Sequence, residues 1–196
     1  DRVLTPEEVK FVNAELDKKE FTVSSIGFED GESGEPTVNS DVRSSSGCFL
    51  LDDEKAAQIM HRGMNKALLE YHQRMVDKHS IFDGYPIPGG YMTTSNRELI
   101  QVLEYVKNQK YAWHTDASPL PESKEYHRKI SIILYLSDGF EGGVTEFIGH
   151  THKPPVGHAL IFPSNWCFPH TGTQVTSGKK RVAVTWYYVN DITWPF

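Results

Sequence analysis

The stretch IQVLEYVKNQKYAWHTD, residues Ile100–Asp116, changes the character of the chain. It holds two short runs rich in β-branched and aromatic residues, Ile100–Val106 and Lys110–Asp116, and each reads as a strand. The habit continues through Lys129–Ser137, Val144–Ile148, His158–Pro163 and Lys180–Val189. Turn signals separate these runs at Asp138-Gly139, Gly142-Gly143, Pro154-Pro155 and Ser177-Gly178. No helical period lies between them. The pattern predicts an antiparallel sandwich or barrel rather than a parallel sheet with helical crossovers.

Upstream of this stretch the pattern is helical. Thr5-Pro6-Glu7-Glu8 places an N-cap, a first-turn proline and two acids at a helix start, and Val9, Phe11, Val12 and Leu16 supply the apolar stripe. A second helix is predicted from about Asp52 to Lys78, where Met60, Met64, Leu68, Tyr71 and Met75 share one face suited to packing on a sheet. Between the helices, Ile26–Ser40 combines Gly, Pro and acidic residues and reads as a mobile surface loop. The expectation is one domain over residues 1–196, mainly β with α+β character, helical over about 1–99 and β-rich over about 100–190.

Composition narrows the function. With 196 residues, 38% hydrophobic, the chain can bury a substantial core. A net charge of −6 and no basic stripe argue against a nucleic-acid partner. No apolar run approaches a membrane span, so no membrane partner is expected. Two cysteines, Cys48 and Cys167, make no disulfide framework and read as small buried fillers, although a single bridge between them is left open. With no secretory-type segment at the start, where the first residue is Asp1, a cytoplasmic location is expected.

The chemistry concentrates around His114-Thr115-Asp116. Side chains alternate along a strand, so His114 and Asp116 face one side together, and a third ligand would complete a 2-His-1-carboxylate set with open positions on Fe(II). With 9 His and 26 acidic residues, about one His-x-Asp/Glu triplet arises by chance, so the triplet needs company. His170 follows 56 residues later, and Lys180 stands ten residues beyond it. Lys180 shares a strand face with Val182, Val184 and Trp186, where a cation wants an anion; Arg181 points to the opposite face and ranks second.

In order and spacing, Gln101–Asp116, Arg128–Tyr135, Gly142–Thr145, Pro155–Phe162 and His170–Trp186 together resemble the Fe(II)/2-oxoglutarate dioxygenases of the prolyl 4-hydroxylase type. Arg43-Ser44-Ser45-Ser46-Gly47 is similar to that family's segment before its long helix, and the resemblance spans Arg43 to Tyr188. It implies a double-stranded β-helix (jelly-roll) of about eight strands, with N-terminal supporting helices and iron at one open end. His114, Asp116 and His170 would be the metal ligands and so the catalytic centre; Lys180, Tyr105 and Thr145 would bind 2-oxoglutarate. Tyr111, Arg128 and Trp186 match positions around the substrate. Fe(II), the cosubstrates 2-oxoglutarate and O2, and ascorbate as reductant are implied, with a proline-containing peptide or protein as substrate.

Two departures from the family pattern stand out. Asn108 replaces a turn Gly, which a positive φ at Asn can accommodate, and Val144 stands where many relatives carry Glu. Tyr111 has the wrong parity to share a face with His114, so its role requires an irregular strand start. Ile26–Ser40 and Ala117–His127 are expected to close over the substrate. The rival readings are the same oxidative chemistry on another side chain or small molecule, and a metal-binding jelly-roll without turnover. His150 and His152 read as part of a solvated loop, not a second metal pair.

Overall fold

A computed structural model describes residues 2–24, 41–83 and 97–188. The predicted loop Ile26–Ser40 lies outside the described residues. Helix α1 (Pro6–Leu16) starts as its sequence directs: Thr5 Oγ1 accepts from the Glu8 amide and Glu8 Oε2 accepts from the Thr5 amide, a reciprocal capping box. Helix α2 (Lys55–Lys78) begins three residues later than expected, after a turn in which Glu54 Oε1 accepts from the Leu51 amide.

Among the described residues the strands are β1 (Thr22–Val23), β2 (Ser46–Leu50), β3 (Ile100–Tyr105), β4 (Tyr111–His114), β5 (Arg128–Tyr135) and β6 (Phe140–Gly142), followed by β7 (Thr145–Phe147), β8 (His150–His152), β9 (Ala159–Pro163), β10 (His170–Gly172), β11 (Val175–Gly178) and β12 (Lys180–Tyr188). They form an antiparallel six-stranded sheet, β1-β2-β3-β12-β5-β9, facing a four-stranded sheet, β4-β10-β7-β8, with β11-β6 as a separate pair. This is the jelly-roll core. The part expected to be helical also contributes β1 and β2 to the large sheet. The extra short strands β6, β8 and β11 hold too few residues to show a period; β8 pairs with β7 across a tight turn, and β6 pairs with the distant β11.

Alternation along each long strand divides the interior in two. Ile100 and Val102 of β3, Ile130, Ile132 and Leu134 of β5, and Ala183 and Tyr187 of β12 face the helices. Val9, Val12 and Leu16 of α1 and Met60, Met64 and Leu68 of α2 cover them, so the methionines are core, as their spacing suggested. Tyr71, which packs against the edge of this core, and Met75 are only half buried. The other faces of these strands place Leu103, Tyr105, Ile133, Tyr135, Val182, Val184 and Trp186 between the sheets.

Two turns carry backbone demands. Asn108 adopts φ 72° in the connection from β3 to β4, and its amide donates to the Val175 carbonyl at 2.8 Å. At Gly142 (φ 68°) a Cβ would lie 2.2 Å from the Gln174 carbonyl oxygen, so only glycine lets β6 approach β11. The cysteines are free, and Cys167 is exposed rather than a buried filler, because it lies in the turn between β9 and β10. His150 and His152 stand on β8 rather than in a loop, yet remain solvent-exposed.

Candidate active site

The site opens between the two sheets. Strand β4 ends at His114, and Asp116 follows two residues later in a bend; β10 begins at His170 and pairs with β4 at the register His170↔His114. Sheet pairing thus brings residues 56 positions apart side by side. One donor atom from each of His114, Asp116 and His170 lies within 4.8 Å of the others. Asp116 Oδ1 is 3.6 Å from His114 Nε2, and Asp116 Oδ2 is 3.7 Å from His170 Nε2. Donors placed cis on an ion at about 2.1 Å stand about 3 Å apart, so a slight closure would let these three grip one.

The surroundings suit that role. His114 Nδ1 lies 2.8 Å from the Ala112 carbonyl and His170 Nδ1 3.1 Å from the Phe168 carbonyl. A carbonyl only accepts, so each Nδ1 carries the hydrogen and each Nε2 lone pair is free for a metal. Phe147 and Phe162 pack against the His170 ring, with centroids 5.4 and 4.9 Å away. Burial pushes the His170 imidazole down in pKa, keeping it neutral. Burial alone would raise Asp116, but the two imidazoles that face it and the hydrogen bond from Ser131 hold its carboxyl well below the usual carboxylate range. Two neutral imidazoles and one carboxylate form a donor set that fits a divalent ion and leaves it net positive.

Tyr111 reaches this site by the irregularity its parity demanded. The register between β4 and β10 shifts between His170 and Gly172, placing three positions of β4 against two of β10. That bulge turns Tyr111 onto the same side as His114, and the rings stack at 3.6 Å between centroids and 16° between planes. Burial pushes the Tyr111 phenol up to about 12.

Behind the three ligands lies a cavity of about 250 Å³ whose walls include Tyr105, Thr145, Lys180 and Trp186. Lys180 is 4% exposed, and its ammonium sits 5.4 Å from the ring centroids of both Tyr105 and Tyr135. No carboxylate forms an ion pair with it among the described residues. Burial, with Lys153 adding like charge, lowers its pKa to about 8. Thr145 and Tyr135 share a hydroxyl hydrogen bond of 2.6 Å, and the buried Tyr105 phenol stands near Ser45 and Arg43. The far end of the cavity therefore offers one buried cation and several hydroxyls, a receptor for a small carboxylate.

At the mouth, Arg128 lies flat over Trp186, 3.7 Å from the ring centroid. Glu98 takes both its Nε and Nη2, at 2.7 and 2.8 Å, and Tyr188 donates to the same Glu98 at 2.5 Å. Arg128 also donates from Nη1 to the Asp116 carbonyl at 3.1 Å. Its guanidinium is thus fixed in the cavity wall next to the ligand segment. Arg181, the rival of Lys180, faces the helix side and is engaged by Glu104 and Asp17 at 2.6 and 2.7 Å.

Sequence reasoning missed Glu98, Tyr135, Ser131 and Ser164. For Ser131 and Tyr135 the signal was present, since strand alternation places both on the face of β5 opposite Ile130, Ile132 and Leu134. Glu98 offered none, because its partner lies 30 residues away.

A jelly roll with two histidines and one carboxylate at the open end of its sandwich defines a non-haem iron oxygenase type of site. Comparison with known proteins agrees. The sequence profile of the 2OG-Fe(II) oxygenase superfamily matches residues 100–189. Probable prolyl 4-hydroxylase 10 of Arabidopsis thaliana is 30% identical over 222 residues, covering 96% of this chain and 67% of the relative. Prolyl 4-hydroxylase 1 of the same plant is 30% identical over 207 residues, covering 93% of this chain. The chain spans 65% of that relative's length. Among solved structures, the viral collagen prolyl hydroxylase of Paramecium Bursaria Chlorella virus-1, in its 2OG complex, superposes with a TM-score of 0.62 at 18% identity, covering 97% of this chain and 94% of that one. The chain belongs to the 2OG-Fe(II) oxygenase superfamily and is prolyl hydroxylase-like. No helix among the described residues is long and apolar enough to cross a membrane.

Proposed function

We propose that this chain hydroxylates prolyl residues in a peptide or protein, using Fe(II), 2-oxoglutarate and O2. The observation that carries this reading is Lys180, a buried cation without an anionic partner among the described residues, in the same cavity as the three convergent ligands. The prolyl assignment is supported by the names of the relatives, the Arabidopsis prolyl 4-hydroxylases among them.

His114, Asp116 and His170 would hold the iron through Nε2, one carboxylate oxygen and Nε2. When bound, the iron supplies the redox chemistry by which O2 and 2-oxoglutarate become succinate, CO2 and one oxygen atom inserted into a substrate C–H bond. Lys180 neutralises the carboxylate of 2-oxoglutarate far from the metal, with Tyr105 and Thr145 beside it. Tyr111, stacked on His114, fixes that imidazole. Arg128 and Trp186, clamped by Glu98, give the peptide a rigid wall. The segment Ala117–His127, which includes a short 3-10 turn at Lys124–His127, borders the mouth and is placed to shield the reaction from water.

The test is succinate release from 2-oxoglutarate in the presence of Fe(II) and ascorbate, with and without a proline-rich peptide. Stimulation by the peptide, with hydroxyproline found in it, is the expected result. Turnover unchanged by any proline-containing peptide would move the substrate elsewhere; no turnover from folded, iron-loaded protein would overturn the enzyme reading.

A further inference from the structure

The three metal-ligand candidates differ in how they are held. Each histidine is oriented by one backbone carbonyl, whereas Asp116 is held by side chains. Ser131 Oγ donates to Asp116 Oδ2 at 2.6 Å, and Ser164 Oγ lies 2.8 Å from Ser131 Oγ. Both serines are 1% exposed. Proton counting fixes the direction of the chain. An ionised carboxylate only accepts, so the single Ser131 hydrogen is spent on Asp116, and Ser164 must be the donor to Ser131.

The backbone holds this pair in place. Ser131 pairs with Phe162 across β5 and β9, and the Ser164 amide donates to the Lys129 carbonyl at 3.0 Å. The Ala117 amide donates to the Ser164 carbonyl at 2.9 Å, so Ser164 grips the ligand segment through its main chain as well. The large sheet, through Ser131 of β5 and Ser164 just past β9, thus reaches the ligand segment at Asp116 and at Ala117, although both lie beyond the end of β4.

We propose that Ser164 and Ser131 form a hydroxyl relay that positions Asp116 as a one-oxygen metal ligand, occupying Oδ2 and leaving Oδ1 to the ion. This rests on the metal-centre reading above. A carboxylate free to rotate could offer both oxygens, and the second would take a coordination position that a chelating cosubstrate or O2 requires. Serial hydroxyl bonds also polarise one another, so Ser164 strengthens the bond made by Ser131 without touching Asp116. Both serines are positioning residues.

The test uses Co(II), whose visible absorption reports both occupancy and ligand geometry, titrated into metal-free protein. Thermal unfolding of the same metal-free samples is followed in parallel. Ser131→Ala is expected to weaken Co(II) binding by about 10-fold to 100-fold, the usual effect of losing an outer-sphere partner, and to alter the spectrum. Ser164→Ala should weaken it by a smaller factor. The double variant should match Ser131→Ala, because Ser164 acts only through Ser131. If Ser131→Ala does not fold, Ser164→Ala, which keeps the bond to Asp116, carries the test alone through its affinity and spectrum. Variants that bind Co(II) with wild-type affinity and spectrum, or losses that simply add in the double variant, overturn the relay while the metal centre stands. Wild-type protein that takes up no Co(II), like a His114→Ala control, would overturn the metal centre and the relay together.

Discussion

Lys180 and Arg181 are neighbours on β12, both cationic and both buried, at 4% and 5% exposure, and they meet opposite fates. Arg181 points towards the helices and finds Asp17, Glu104 and the Asn13 side chain, all within hydrogen-bond distance. Those partners hold its pKa up against the effect of burial. Lys180 points between the sheets and has the rings of Tyr105 and Tyr135 around it but, among the described residues, no carboxylate partner. A fold that leaves a buried ammonium unpaired bears its desolvation cost unless an anion arrives from outside. One cation is therefore paired within the fold and the other is left for the proposed ligand, and strand parity decides which.

Substitutions can break that contrast. Lys180→Ala should raise the 2-oxoglutarate concentration needed for half-maximal turnover by about 100-fold, the scale of breaking a buried charge pair, and leave the Fe(II) requirement unchanged; steady-state succinate assays read both. Equal effects on the two would make Lys180 structural. Arg181→Ala should do the reverse. Urea unfolding should show a loss of about 2–3 kcal/mol, because Glu104 loses its buried partner and keeps only the half-exposed Lys179, while 2-oxoglutarate affinity stays within about twofold.

The contrast can also be sharpened by pH. In the free protein Lys180 is charged below about pH 8 and neutral above it. Affinity for the dianion should fall as pH rises through that value, approaching about tenfold per unit, and binding above it should take up a proton. Lys180→Arg keeps its charge throughout, so its affinity profile should be flat across the same range, whatever its absolute level. A wild-type profile that is equally flat would mean that Lys180 does not meet the anion. The smallest effect is expected at the neighbouring hydroxyls. Tyr135→Phe removes the 2.6 Å bond to Thr145 and should weaken 2-oxoglutarate by about fivefold, about 1 kcal/mol, in the same assay.

Much of this was legible because it depends on alternation. The common face of His114 and Asp116, the Lys180–Arg181 division and the positive φ of Asn108 follow from local rules, and the structure places them accordingly. The bulge that brings Tyr111 to His114 was foreseeable as a parity conflict, but its position depends on register with β10, which no local pattern encodes. The clamp of Glu98 on Arg128 and the hydroxyl relay to Asp116 were not legible. They join residues 30, 33 and 15 positions apart, and neither Ser nor Glu announces its partner. Strands β6 and β11 escaped because a few residues flanked by glycines show no period, and only their mutual pairing defines them.

The central claim is that His114, Asp116 and His170 hold a metal onto which 2-oxoglutarate chelates while Lys180 grips its other end. The most direct measurement is an anaerobic titration of Fe(II)-loaded protein with 2-oxoglutarate, following the visible charge-transfer absorption of an iron–2-oxo-acid chelate. A saturable band in the wild type, the same band at far higher 2-oxoglutarate in Lys180→Ala, and none in His114→Ala or Asp116→Ala is the predicted result. A folded, iron-loaded wild type that gives no band, or a band whose midpoint ignores Lys180, would contradict it.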